Sequence, residues 1–404
     1  MTLSEELTWR GFVNQMTLGD ITELDNKKLS FYWGVDPSAD SLQIGNLAAA
    51  IMVKHFIDAG HSAYLLVGGA TGFIGDPDGK KSERNLKTVE EINKNKAGII
   101  AQYKKIFAGK DFTIVDNYDW FKDINYIDFL RDIGKKVPMS QMLGRDFVQS
   151  RLGSDGTGIS YAEFSYSLIQ AYDFLYLFRK HGVSLQVAAS DQWGNSMAGV
   201  DLIRRIEGKQ VHVYTTPLII NRTTGIKFGK SEGGAIWIDP AKTTVYKFYQ
   251  FWLNIDDIGV IDYLKTYTLL SREEIEDLSR KQISNPGERP AQKALAHEVS
   301  NLVHGTDRTE SVERVNQVLF GGSDINQLSQ SDLEILSEEI ATINQGATVI
   351  ESLNISGISN SNSDANRLIK SGAISINGQK INQDKKVNEL AIIKKGKNNF
   401  VLVR

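Results

Sequence analysis

The first two hundred residues alternate short apolar runs with longer stretches whose apolar residues recur at helical spacing, and this alternation constrains the fold more than any other feature. Strand-length runs fall at 29–35, 62–68, 112–115 and 182–189, the last alternating through Val183, Leu185 and Val187. Helical periods fall at 44–59 and 89–107. Strands separated by helices return in the same direction, so the pattern predicts a doubly wound α/β domain built on a parallel sheet. The segment 118–180 is helical, aromatic and too long for a simple crossover, which marks it as an insertion within that domain. Beyond Thr244 the periodicity turns helical, with SREEIEDL and AQKALAHEVSNLVHG as amphipathic segments. Residues 321–346 carry five acidic and no basic side chains and read as a solvated linker containing a short helix. The tail reads as helix, hairpin with an Asn377-Gly378 turn, and final strand. The predicted domains are 1–220 with the insertion at about 118–180, a helical domain over 221–320, the linker 321–346 and a small α+β domain over 347–404.

Composition excludes several classes of function. The 404 residues include no cysteine, which removes disulfides, thiolate metal sites and cysteine nucleophiles. The six histidines, at 55, 61, 181, 212, 297 and 304, include no pair at i, i+4, so a helical histidine metal site is not expected. The net charge is −3, but the chain from Gly346 onward carries +5, leaving −8 on everything before it. A small basic tail on an acidic body is not the balance of a protein that coats nucleic acid. No apolar run approaches the ~18 residues of a membrane helix, and the opening MTLSEELTWR is acidic where a signal peptide is basic. The expectation is a soluble cytoplasmic protein with no membrane partner.

Four segments carry candidate chemistry. GGATGFIGDPDGKKSER follows a predicted strand, but Ile74 stands where a Walker loop needs glycine and Ser82 comes one place late. Its glycines suit a tight turn as well as a phosphate cradle, while Lys80, Lys81 and Arg84 could meet a polyphosphate. TTGIKFGKSEGG brings Lys227 and Lys230 to a second glycine-containing loop, a plain solvated loop when taken alone. In YAEFSYSLIQAYDF, Tyr166, Gln170 and Asp173 share one helix face, either as a satisfied core cluster or as a polar pocket for an amphipathic ligand. In FYWGVDPSADSLQIGNL a strand gives way to a helix, gathering Asp36, Ser38, Gln43 and Asn46 where open α/β sheets bind ligands or where an ordinary turn is capped.

These segments in this order, together with LTWRGFVNQ, SDQWGN (Ser190–Asn195) and KFGKS, resemble the bacterial tyrosyl-tRNA synthetases, class I aminoacyl-tRNA synthetases, over the whole chain. The resemblance implies that tyrosine is activated with ATP to tyrosyl-AMP and pyrophosphate, then passed to the 3′ end of tRNA(Tyr). It implies that Tyr32 and Asp173 hold the substrate phenol, and that Asp76, Tyr166 and Gln170 hold its ammonium group. Gln192 would lie near the carboxylate, with Asp36, Ser38, Gly45, Asp191 and Lys230 on the nucleotide. Gln43 and Asn46 would meet the triphosphate, and Lys80, Arg84, Lys227, Lys230 and Ser231 the leaving pyrophosphate. Arg367, Lys370, Lys380, Lys385 and Lys386 of the basic tail would face RNA phosphates. ATP enters as a substrate with Mg2+ accompanying it, no tightly bound cofactor or dedicated metal site is expected, and the implied assembly is a homodimer.

The chain departs from the family on one side of the site. Gln43 and Asn46 replace the two signature histidines that flank Ile-Gly. Trp33 stands where relatives place a small residue beside the nucleotide ribose, and Ala188-Ala189 where they have Gly-Gly. The alternative these departures raise is a weakened paralogue that binds tyrosine or RNA as a regulatory protein.

Overall fold

Strands β1 (Ser30–Val35), β2 (Ser62–Val67), β3 (Phe112–Asp116), β4 (Leu185–Ala189) and β5 (His212–Thr216) form one parallel sheet in the order β3-β2-β1-β4-β5. These come from a computed structural model that describes residues 1–77, 86–152, 158–226, 228, 230–231 and 234–404. The chain winds outward from β1 in one direction and then from β4 in the other. That reversal opens a crevice at the carboxyl ends of β1 and β4, where doubly wound sheets bind ligands. Four of the five strands fall where the apolar runs predict them, β4 beginning only at Leu185, while β5 matches no run singled out in the sequence. Gly182 sits at φ 65°, a left-handed conformation suited to glycine, and caps helix Tyr161–His181 before β4 begins.

The crossover helices differ as their burial requires. Helix Ile44–Asp58 is buried through most of its length, so its sequence is apolar nearly all round. Helix Val89–Ile106 shows one face to solvent and starts with a reciprocal cap, Thr88 Oγ1 accepting from the Glu91 N–H at 3.2 Å and Glu91 Oε2 from the Thr88 N–H at 2.9 Å. Between β3 and β4 lie short helices at Tyr118–Phe121, Tyr126–Asp132, Met139–Leu143 and Asp146–Leu152, followed by Tyr161–His181. Trp120 stacks on Tyr176 at 4.4 Å, and the buried Arg151–Glu163 pair, 2.8 Å apart, fixes the insertion to the long helix.

Trp33 lies on the side of β1 opposite Tyr32. It is buried and packs against Tyr103 at 5.4 Å and Phe107 at 6.4 Å, both from helix Val89–Ile106 and its end, while Tyr32 packs on Phe174 of the long helix. Successive strand residues face opposite sides of the sheet. The larger side chain therefore fills the core under that helix, on the side of the sheet away from Tyr32.

The chain divides into two compact units, and the division differs from the predicted domains: Met1–Thr243 with Leu253–Val299 form one, Thr244–Trp252 with Ser300–Arg404 the other. In the second, five strands run in the order 379–380, 374–376, 391–395, 399–403, 341–343. The Asn377-Gly378 turn is as predicted, with both residues at positive φ. Stretch 321–346 is not a solvated linker. Its residues 341–343 pair in parallel with the strand 399–403, and Ile325, Leu328 and Leu336 pack with Ile392, Phe400 and Leu402. The opposite face of this sheet is covered by Val349, Leu353, Ala365 and Ile369. The acidity that suggested solvation is partly structural: Asp332 is buried and accepts two bonds of 3.0 Å from Arg314. Burial works against that carboxylate, but the bonds from Arg314, Ser311 and Ser329 hold its pKa at about 2.

His55 makes the first unit sensitive to acid. Burial, reinforced by the charge of Arg10, pushes its imidazole down to about 4 from the usual 6.5. The unfolded chain therefore takes up this proton first. The stability that neutral His55 contributes is complete above about pH 6.5 and disappears as the pH falls through 4. Thermal unfolding is expected to show His55→Leu losing less stability than the parent between those pH values, by up to about 3 kcal/mol.

Candidate active site

At the carboxyl end of β1 and the facing helix Tyr161–His181, the sequence places two groups that cannot be buried without partners. Tyr32 is 2% exposed and its hydroxyl has no hydrogen-bond partner. Asp173, equally buried, accepts from Trp120 Nε1 at 2.9 Å and from Asn117 Nδ2 at 3.1 Å. Burial pushes the Asp173 carboxyl well above its usual range, opposed by these two donors and reinforced by the charges of Asp36 and Asp116. The Tyr32 phenol is likewise raised, by burial and by the charge of Asp173. The Tyr32 hydroxyl, with no partner among the described residues, thus lies within reach of the charge of Asp173. Together they can donate to and accept from one ligand hydroxyl.

Two turns back along the helix the environment becomes acidic. The Tyr166 hydroxyl donates to Asp36 Oδ2 at 2.7 Å. Burial raises its pKa, and so do the charges of Asp36, Asp76 and Asp173 together with the bond to Asp36. One carboxylate is bonded to this hydroxyl and the charges of two more act on it, and the buried Oε1 of Gln170 is an acceptor without a partner among the described residues. Such a place favours a cation able to donate several hydrogen bonds. Gln192, in the turn Ser190–Gln192 that follows β4, donates to Asp76 Oδ2 at 2.6 Å and accepts from Asn195 at 3.1 Å.

The two ends are joined by residues that sequence reasoning missed. Asn117 Nδ2 donates to Thr71 Oγ1 as well as to Asp173, and Thr71 in turn donates to Asp36 Oδ1 at 2.6 Å. Asn117 Oδ1 accepts from the Ala70 N–H at 2.6 Å. Two glycines make room for this arrangement. A Cβ on Gly68 would lie 2.2 Å from both Asp36 Oδ1 and Thr71 Oγ1, and one on Gly69 would lie 2.2 Å from Asp116 Oδ1. Here the glycines give clearance to carboxylates, which would repel a phosphate. Gln186 of β4 is a further missed candidate, in register with Tyr32 and buried with its Oε1 unpartnered. Its signal was present as a polar residue in the middle of an apolar strand.

On the nucleotide side expected from the sequence, Gln43 is the N-cap of helix Ile44–Asp58 and its N–H donates to Asn46 Oδ1 at 3.1 Å. Gly45 is exposed, and nothing lies within 4 Å of where its Cβ would be, so the first helical turn is open. The Ser38 N–H donates to the Asp36 carbonyl at 2.7 Å, and Asp191 is exposed beside Gln192. Lys80, Arg84 and Lys227 lie outside the described residues. Lys230 and Ser231 are described by backbone alone, as a short strand antiparallel to Gly234–Ala235. Ala188 and Ala189 lie within β4, in register with Thr215 and Thr216 of β5. Arg367, Lys370, Lys380, Lys385 and Lys386 are all exposed on the second unit. Arg367 and Lys370 come from helix Asn362–Lys370, and Lys385 and Lys386 from the segment bonded to Thr348 and Val349.

The family model for tRNA synthetases class I (W and Y) matches residues 24–321. The chain belongs to this family. The synthetase is 44% identical over 421 residues to a tyrosine–tRNA ligase of Limosilactobacillus reuteri, covering all of both chains. It is 44% identical over 422 residues to tyrosine–tRNA ligase 2 of Bacillus cereus, covering 100% of this chain and 99% of that one. Among solved structures, it matches a C-terminally truncated mitochondrial tyrosyl-tRNA synthetase of Aspergillus nidulans at 31% identity and a TM-score of 0.71, over 79% of this chain and 94% of that one. A tyrosyl-tRNA synthetase from Archaeoglobus fulgidus, at 15% identity and a TM-score of 0.56, shares the fold.

Support of Asp173 by its two donors has a measurable cost of removal. Trp120→Phe leaves one oxygen of a buried carboxyl group without its donor and is expected to destabilise the synthetase by about 1–3 kcal/mol. Asn117→Ala removes a donor to Asp173 together with the link to Thr71, and should cost at least as much in urea denaturation. If both variants unfold with the parent, these bonds contribute nothing.

Proposed function

We propose that this synthetase is a tyrosine–tRNA ligase. The observation that carries the reading is a continuous hydrogen-bonded chain from Asp173 through Asn117 and Thr71 to Asp36 and Tyr166, beside which the buried Tyr32 hydroxyl and Gln170 Oε1 have no partner among the described residues. A phenol seated at the Asp173 end donates to Asp173 and accepts from Tyr32, while an α-ammonium group at the other end meets the acidic cluster and Gln170. Phenylalanine would leave the Tyr32 hydroxyl without a partner and give Asp173 no donor beyond Trp120 and Asn117, so the pocket discriminates by the cost of unmade hydrogen bonds.

In the first step a carboxylate oxygen of tyrosine attacks the α-phosphorus of ATP, the bond to the bridging oxygen breaks, and pyrophosphate leaves with that electron pair. In the second, a terminal ribose hydroxyl of tRNA(Tyr) attacks the carbonyl carbon of the adenylate, loses its proton, and AMP leaves. No covalent bond to the protein forms, so the chain contributes alignment and charge stabilisation. Gln192 lies near the carboxylate, and Asp36, Ser38, Gly45 and Asp191 receive the nucleotide at the open first turn of helix Ile44–Asp58. Gln43 and Asn46 offer amide N–H groups to the triphosphate. Lys80, Arg84, Lys227, Lys230 and Ser231 neutralise the pyrophosphate as its charge develops, with Mg2+ carried on ATP. Arg367, Lys370, Lys380, Lys385 and Lys386 form a phosphate-contacting surface for the tRNA, and the working assembly is a cytoplasmic homodimer.

Tyrosine-dependent exchange of pyrophosphate into ATP is expected from the unmodified chain, and its absence at saturating ATP would sink the enzyme reading. Gln43→His with Asn46→His should raise the exchange rate about tenfold, the value of a strengthened charge-assisted contact in the transition state. A test of the RNA surface uses substitution rather than truncation, because cutting after Gly346 would strip the strand 341–343 of its partner 399–403. Changing Arg367, Lys370, Lys380, Lys385 and Lys386 to Gln should leave exchange intact, weaken tRNA charging and flatten its salt dependence. Equal loss of both activities would contradict the assignment.

A further inference from the structure

The loop 36–43 carries Asp36 and Ser38 and ends at Gln43, and two distant parts of the chain are fastened to its backbone. The first is helix Val89–Ile106, which begins five residues after Arg84 in sequence. Asn95, Gly98 and Gln102 lie on one face of that helix, three and four residues apart. Asn95 Nδ2 donates to the Pro37 carbonyl at 2.9 Å. Gly98 admits the Asp40 carbonyl so closely that a Cβ there would lie 2.0 Å from its oxygen. Gln102 makes both of its bonds to the loop, accepting from the Leu42 N–H at 2.7 Å and donating to Ser41 Oγ at 2.9 Å.

The second part is the segment 236–239, which continues directly from Gly234–Ala235, the strand partner of Lys230–Ser231. The Ile44 N–H donates to the Ile236 carbonyl at 3.2 Å and the Ile238 N–H to the Leu42 carbonyl at 3.0 Å, with Gln43 and Trp237 bridged between them. The Asp239 N–H donates to Ser41 Oγ at 3.1 Å, and Lys242 reaches Asp40 at 2.7 Å. Ser41 is thus the meeting point: its hydroxyl donates to the Leu42 carbonyl at 2.9 Å while accepting from Gln102 and from Asp239.

We propose that Gln102, acting through Ser41 and Leu42, is a positioning residue for the activation step: it sets the register between the loop 36–43 and the backbone leading from Lys230–Ser231. It touches no substrate. The inference rests on the functional reading above, because the register matters only if the two segments grip one ATP. With neutral amides at positions 43 and 46, placement of the remaining groups weighs more heavily on the rate.

The experiment compares Gln102→Leu and Gln102→Glu with the unmodified chain. Gln102→Leu is expected to lower kcat for pyrophosphate exchange about tenfold while the tyrosine dissociation constant and the melting temperature hold. Its Ile238 and Asp239 amides should exchange hydrogen faster than in the parent. Gln102→Glu keeps the acceptor for the Leu42 N–H but loses the donor to Ser41 Oγ, and should recover part of the rate. An unchanged kcat in Gln102→Leu would overturn the proposal, as would a loss matched by an equal fall in tyrosine affinity or melting temperature. Absence of exchange in the unmodified chain is a separate outcome that removes the functional reading and the proposal with it.

Discussion

The organisation of the site depends on one constraint: a carboxyl group placed in a dry pocket must be hydrogen-bonded. Asp173 meets it through Trp120 and Asn117, and Asn117 extends the bonding through Thr71 to Asp36 and so to Tyr166. These residues come from β1's end, the short helix Thr71–Ile74, the start of the insertion and the long helix. The sheet supplies the scaffold for this, because its reversal between β1 and β4 brings those carboxyl ends together. Gly68 and Gly69 are required by the same constraint, since any side chain there would occupy the space of the carboxylates that they admit.

What sequence patterns disclosed follows from how local each signal is. The strands and crossover helices were legible because period and apolar content are properties of contiguous residues. Tyr166, Gln170 and Asp173 were legible as one group because helical spacing alone aligns them. Asn117 and Trp120 were not, because their partner is 56 and 53 residues away. The orientation of Trp33 was within reach: alternation along a strand puts it opposite Tyr32, a rule that outweighs its position beside the site. Stretch 321–346 misled because charge counting ignores periodicity. Ile325, Leu328 and Leu336 form an apolar side that covers the sheet, and Asp332 is an ion-pair member rather than a solvated charge.

The two halves of the pocket differ in how they obtain specificity. At Tyr32 and Asp173 the groups are buried, and in the proposed reading recognition comes from the cost of hydrogen bonds left unmade at the Tyr32 hydroxyl. At the loop 36–43 the groups are partly exposed and belong to a backbone held from outside by helix Val89–Ile106 and segment 236–239. A buried pocket suits a small ligand recognised by shape and hydrogen bonds. A fastened but open edge suits a larger, charged one that enters and leaves.

That contrast bears on the loss of both signature histidines. Asn46 uses its Oδ1 to accept from the Gln43 N–H, so only its Nδ2 remains to donate, and neither amide can carry charge. An amide donor in a fixed place still lowers the energy of a transition state that places negative charge opposite it, though less than a charged donor would. The shortfall falls on groups that are charged at neutral pH, the lysines and arginine of the two neighbouring segments. The backbone of the loop 36–43 and of segment 236–239 is held by bonds at Ser41 and Leu42. The rate at the nucleotide edge is thus expected to respond to the packing behind residues 43 and 46 as well as to the two amides themselves.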